Sequence, residues 1–204
     1  MSRICAQLAE EFTAWSTRRL DEVELDYLYL DATSFRYHPG ARAEPVLVAY
    51  GITTTGAPVF LGLAPAGSEG HDPWEAFLAD LTGRGLRAPM LVVSDGAPGL
   101  LSAVEQVFPR SLRQRCTIHR ARNVLAKVPV AAQAEVKAAY WQIFDDITQP
   151  PGQAAVNAAV RRTQAFAARY EHVYPAAVAC LTSTLDELTV HLRFPWLLCQ
   201  AAAA

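Results

Sequence analysis

Met90-Leu91-Val92-Val93-Ser94-Asp95-Gly96-Ala97-Pro98-Gly99-Leu100 joins an unbroken apolar run to a carboxylate, a glycine turn and a helix start. The run is too short for a good helix and reads as a strand buried on both faces. Pro98 fits the first helical position, and Leu100, Leu101, Val104, Val107 and Phe108 repeat behind it at helical spacing. Asp95 therefore falls at the C-terminal mouth of a central strand, where α/β sheets usually place their chemistry. Taken alone, Asp95 reads as a helix cap. A second carboxylate in a similar setting, Asp31 at the end of Tyr27-Leu28-Tyr29-Leu30, turns the comparison towards function.

Outward from that stretch the chain is ordinary globular protein. Its 204 residues suffice for one substantial core with a smaller helical appendage. A hydrophobic fraction of 51% against 19% charged residues excludes disorder. No apolar run approaches a membrane span, and no charged-then-apolar leader opens the chain, so the expectation is a soluble, cytoplasmic protein without a membrane partner. Cys5, Cys116, Cys180 and Cys199 follow no disulfide-scaffold spacing, which fits a reducing compartment. The net charge of −2 gives no global sign of nucleic-acid binding, so such a reading must rest on local clusters.

In order, residues 2–19 read as an amphipathic helix with Ile4, Leu8, Phe12 and Trp15 on one face. Strands are expected over 25–35, 45–52 and 58–63, joined by short turns as an antiparallel meander. On the first, Tyr27, Tyr29 and Asp31 point to one side and Leu28, Leu30 and Ala32 to the other. A helix opens at His71-Asp72-Pro73-Trp74-Glu75, with Asp72 as N-cap and Glu75 reaching back, and ends at Gly83 and Gly85. The strand of Val92, the helix after Ala97 and a fifth strand over 112–118 follow. The order is β-β-β-α-β-α-β. From His119 the pattern is all-helical: one helix carries Val136, Tyr140, Ile143 and Phe144, an alanine-rich one runs to Tyr170, and a last one carries Leu181, Leu185 and Leu188.

Two carboxylates at neighbouring strand ends suit a hard divalent cation such as Mg²⁺ or Mn²⁺. A pair of such ions about 3.5–4 Å apart activates an attacking oxygen and stabilises a leaving one in phosphoryl transfer. The alternative is two solvated loop aspartates. Between Pro109 and Val128 lie Arg110, Arg113, Arg115, Arg120, Arg122 and Lys127 with no acidic residue, a stretch able to neutralise a DNA backbone or simply to stay solvated. Cys116 and His119 have the spacing of two zinc ligands but lack a visible partner pair, so a buried Cys and an orienting His fit better. Trp141 reads as core, or as a platform for an extruded base.

The blocks Tyr27-Leu28-Tyr29-Leu30-Asp31-Ala32-Thr33, Val93-Ser94-Asp95-Gly96-Ala97-Pro98-Gly99-Leu100 and Gln114-Arg115-Cys116-Thr117-Ile118-His119-Arg120, then Arg122-Asn123-Val124 and Pro129, resemble the Mutator-type transposases of bacterial insertion sequences. The resemblance runs from about residue 2 to Pro195. It implies an α/β, ribonuclease-H-like catalytic core with a helical insertion, and Mg²⁺-dependent DNA cleavage and strand transfer by an Asp-Asp-Glu triad. Asp31 and Asp95 would be the first two members and metal ligands. Arg113, Arg115, His119, Arg120, Arg122 and Lys127 would contact DNA, and Cys116 with His119 would form the family's Cys-x-x-His element.

The same resemblance implies a division into an N-terminal helix (1–22), the core (23–128), the insertion (129–195) and an aberrant tail (196–204). Family members carry a DNA-binding region ahead of the core. They also carry, after a stretch like His191-Leu192-Arg193-Phe194-Pro195, a Thr-Thr-Asn-x-x-Glu block with the third carboxylate. Here Trp196-Leu197-Leu198-Cys199-Gln200 and four alanines stand in its place, so the last catalytic helix and its Glu are missing. The expectation is a truncated transposase with little or no activity, pairing with itself or with a full-length transposase. Two other readings are a non-catalytic inhibitor of a full-length transposase and a stand-alone nuclease using Asp186 or Glu187 as third ligand, with Asp145 and Asp146 further away.

Overall fold

A computed structural model describes residues 3–36, 40 and 42–194. The tail after Pro195 lies outside them. The chain forms two compact units, 1–112 and 113–204. In the first, α1 (Arg3–Thr17) precedes β1 (Leu25–Phe35), β2 (Glu44–Thr53), β3 (Pro58–Pro65), α2 (His71–Gly83), β4 (Leu91–Ser94) and α3 (Pro98–Val107), and β5 (Leu112–Arg115) begins at its end. The five strands form a mixed sheet in the order β3-β2-β1-β4-β5, antiparallel from β1 to β2 and β2 to β3, and parallel from β1 to β4. The element order is the expected β-β-β-α-β-α-β, and β1 to β3 form the expected antiparallel meander.

Alternation along β1 decides which face is covered. Leu28 and Leu30 join Leu47, Ala49, Leu61 and Val92 in an apolar cluster with Trp74, Leu78 and Leu81 of α2 and Leu100, Ala103 and Val104 of α3. β4 is buried at all four positions, as its unbroken apolar run requires. Its helix starts with Pro98 at the first turn. Gly96 makes the connection at φ 84°, a left-handed conformation that side chains resist. α2 departs from expectation at its start. The helix begins at His71 with Gly70 as N-cap and no side-chain cap, so Asp72 lies inside the first turn. Glu75 instead pairs with His71 at 3.3 Å and accepts a hydrogen bond from Gln106.

The second unit contains α4 (Thr117–Leu125), α5 (Val130–Trp141), α6 (Gln153–Tyr170), α7 (Pro175–Thr182), α8 (Leu185–Leu188) and a 3-10 turn (Val190–Arg193). Its own core runs from Ala121 and Val124 through Val136, Tyr140, Phe166 and Leu181 to Leu192. Three expectations are corrected here. The fifth strand stops at Arg115, and Thr117 and Ile118 open α4. Ile143 and Phe144 follow α5 in a turn whose end, Asp146, has φ 52° and whose carbonyls at Gln142, Asp145 and Asp146 accept from Arg162. The last expected helix is two, parted at Ser183 and Thr184. Amphipathic spacing persists across such breaks, because the core contacts continue while the backbone ladder stops.

Candidate functional site

The parallel register pairs Tyr27 with Leu91, Leu28 with Val92 and Tyr29 with Val93. Extended two residues past its last pair, that register would set Asp31 opposite Asp95, which follows β4 directly. Asp31 is not at the end of its strand. β1 runs on to Phe35, paired with β2 from Asp31↔Val48 to Phe35↔Glu44. β4 ends at Ser94, so beyond Tyr29 the β4 side of β1 is no longer paired with that strand. Asp31 is exposed and Asp95 half-buried at this notch. Asp31 Oδ1 accepts the Ala32 N–H at 2.9 Å, and Asp95 Oδ1 accepts the Ala97 N–H at 2.9 Å. The second bond is an Asx-type turn that fixes the carboxylate at the start of α3.

Carboxylates at these two positions offer hard oxygen donors of the kind Mg²⁺ or Mn²⁺ takes. A third His, Cys, Asp or Glu ligand does not join them among the described residues. The one cluster of three there is His71, Asp72 and Glu75, whose ligand atoms lie within 4.8 Å of one another on the first turn of α2. Sequence reasoning spent these residues on capping; the i, i+4 spacing of His71 and Glu75 was the signal available.

The basic segment belongs to the second unit from Arg113 onward. Arg122 and Lys127 are exposed, and Arg113, Arg115 and His119 are half-buried. Arg120, expected on phosphate, is only 8% exposed; its Nη1 donates to the Cys180 carbonyl at 3.0 Å and touches Sγ at 3.3 Å. A guanidinium so buried joins α4 to α7 and leaves phosphate little to reach. Arg115 lies 3.8 Å from Glu187. Cys116 is the N-cap of α4 and His119 sits in its first turn, so the Cys-x-x-His element is a helix start rather than a strand end. Neither residue belongs to the His71, Asp72 and Glu75 cluster. The Tyr140 hydroxyl donates to the Thr117 carbonyl at 2.8 Å beneath that turn, and burial raises its pKa. Trp141, half-buried, meets Tyr140 edge-on at 5.2 Å, a packing role.

Gln114 is the residue that composition hid. Its buried side chain donates from Nε2 to the Leu188 carbonyl at 2.9 Å and to the Arg115 carbonyl at 3.0 Å. Its Oε1 accepts the His191 N–H at 3.0 Å. The segment carrying Asp186, Glu187 and His191 is thereby tied to the end of β5. Burial holds the His191 imidazole down to about 4, against the opposing pull of the Leu188 backbone.

The chain has a mixed α/β core, and it belongs to the Mutator family of transposases, whose family profile matches residues 1–201. It is 31% identical over 195 residues to the transposase for insertion sequence element IS6120 of Mycolicibacterium smegmatis, covering 96% of this chain and 58% of that one. It is 30% identical over 199 residues to the transposase for insertion sequence element IST2 of Acidithiobacillus ferrooxidans, covering 96% of this chain and 64% of that one. The chain therefore spans about three-fifths of the length of these relatives. Among solved structures it is similar to the HTLV-2 integrase catalytic core domain in complex with magnesium, at 17% identity and a TM-score of 0.34, over 61% of this chain and 88% of that one. No helix among the described residues is long and apolar enough to cross a membrane.

Proposed function

We propose that this chain carries the catalytic core of an insertion-element transposase, acting in the cytoplasm on DNA by metal-dependent strand cleavage and transfer. The observation that supports the reading is the parallel β1–β4 register, which extended by two residues would set Asp31 opposite Asp95. These two would hold Mg²⁺ or Mn²⁺. A bound divalent ion supplies charge stabilisation and activation of the attacking oxygen in phosphoryl transfer. The chain's own contribution is to orient the two carboxylates. The Ala32 and Ala97 amides each hold one Oδ1 of these carboxylates.

Arg113, Arg115, His119, Arg122 and Lys127 would meet the DNA backbone, where exposure favours Arg122 and Lys127 most. Arg120 would act from beneath, fixing α4. Cys116 would start that helix. A supercoiled plasmid incubated with the chain and Mg²⁺ or Mn²⁺ tests the assignment. Any nicking or joining, expected to be weak, should depend on the ion and be lost in Asp31→Asn and Asp95→Asn. Activity that survives both substitutions would refute the roles given to these residues. Glu187→Gln separates the nuclease reading, which requires cleavage to be lost, from the reading proposed here, in which Glu187 pairs with Arg115 and cleavage should survive.

A further inference from the structure

Ser94 ends β4 on a hydroxyl after Leu91, Val92 and Val93, and all four positions are buried. Ser94 itself is 4% exposed. A hydroxyl buried so deeply costs stability unless it is bonded, and alanine or valine would serve the core alone better. Alternation puts Ser94 on the face of Val92, which packs with α2 and α3, and opposite to that of Val93.

The hydroxyl is bonded to the turn that follows. Ser94 Oγ accepts the Gly96 N–H at 3.3 Å, and one residue on, Asp95 Oδ1 accepts the Ala97 N–H at 2.9 Å. A Ser turn and an Asx turn thus overlap across Asp95. Gly96, at φ 84°, reverses the chain between them. Both flanks of this turn are anchored. β4 pairs with β1, and α3 starts against α2, where a Cβ on Gly99 would lie 2.8 Å from the His71 nitrogen. Between these anchors the direction of Asp95 follows the path of residues 94–97, and the Ser94 hydroxyl ties that path to the end of the strand.

We propose that Ser94 is a positioning residue for the cation centre: through the Gly96 amide it sets the backbone from which the Asp95 carboxylate is presented. Its role rests on the reading of Asp31 and Asp95 as cation ligands. Removing a group that orients a ligand without touching the metal changes affinity by about 10–100-fold. Ser94 acts through one backbone amide rather than on the carboxylate itself, which places it at the low end of that range.

Mn²⁺ titration of the full chain, read by electron paramagnetic resonance without DNA or turnover, tests this role. Ser94→Ala removes one oxygen from the buried face and should weaken Mn²⁺ binding about tenfold. Ser94→Thr keeps the hydroxyl and should bind Mn²⁺ as wild type does. Leu81→Ala supplies the comparison with a merely structural loss. It opens a cavity in the same apolar cluster, on α2, and should lower the unfolding midpoint more than Ser94→Ala while leaving Mn²⁺ affinity unchanged. Wild-type affinity in Ser94→Ala, an equal loss of affinity in Leu81→Ala, or lost binding in a Ser94→Thr variant whose midpoint matches wild type would each overturn the proposal. Wild-type binding indifferent to both Asp31→Asn and Asp95→Asn would instead overturn the cation-centre reading, and the role of Ser94 with it.

Discussion

Replacing Gln114 by Leu should loosen the second unit by about 2–4 kcal/mol, and the figure follows from what the side chain satisfies. Gln114 is 5% exposed and makes three hydrogen bonds, to the Leu188 and Arg115 carbonyls and from the His191 amide. Leucine fills nearly the same volume, so the cavity contribution is small. It leaves the Leu188 carbonyl and the His191 N–H without this partner. Each buried orphan costs roughly 1–3 kcal/mol, partly offset by the amide group no longer desolvated on folding. Urea unfolding measures the total. Hydrogen exchange locates it, because the His191 amide should lose most of the protection its bond to Oε1 provides. The two units need not unfold together, so exchange at amides of α6 and α7 separates a local from a global loss. A destabilisation below about 0.5 kcal/mol with His191 protection unchanged would refute the role assigned to Gln114.

His191 gives a pH prediction with a definite sign. Its imidazole is held to about 4 in the folded chain, below its ordinary value of 6.5. Between those values the unfolded chain binds more protons, so stability is fully present above pH 6.5 and falls as pH drops towards 4, by at most about 3 kcal/mol. His191→Phe should flatten that part of the pH–stability curve, and an identical slope in wild type and variant would exclude His191 as its source. Gly99→Ala should destabilise by about 1–3 kcal/mol, read as a lowered thermal midpoint. A Cβ there would sit 2.8 Å from the His71 nitrogen and 2.9 Å from the Gly70 carbonyl carbon, backbone that cannot yield without parting α2 from α3. An unchanged midpoint would show that the two helix starts accommodate it.

The strands of the first unit were legible because their signals are local. Val92 sits in an apolar run bounded by turns, and Tyr27 to Ala32 alternate cleanly, so strand and facing both followed from periodicity. The juxtaposition of Asp31 with Asp95 was an expectation that only the β1–β4 register could support, since parallel pairing leaves no trace in either strand alone. What sequence missed is long-range. Arg120 looked like a phosphate ligand until its bond to Cys180, sixty positions away, accounted for it. Gln114 carried no signal, as its partners at Leu188 and His191 lie far along the chain. The α1 spacing predicted an amphipathic helix, and among the described residues its apolar stripe stays exposed at Ile4, Leu8 and Phe12 while Trp15 stacks on Phe60.

The central claim is that Asp31 and Asp95 together form a divalent-cation centre, and Mn²⁺ titration followed by electron paramagnetic resonance tests it most directly. Free Mn²⁺ gives a strong signal that binding broadens, so occupancy is read without turnover or DNA. Saturable binding to wild type should weaken at least about tenfold in Asp31→Asn and in Asp95→Asn, a change of about 1.4 kcal/mol each. Asn keeps the Oδ1 acceptors for the Ala32 and Ala97 amides, so the turns survive. Asp72→Asn, at the separate cluster on α2, should leave that binding unchanged. Binding that persists in Asp31→Asn and Asp95→Asn, or disappears instead with Asp72→Asn, would contradict the account.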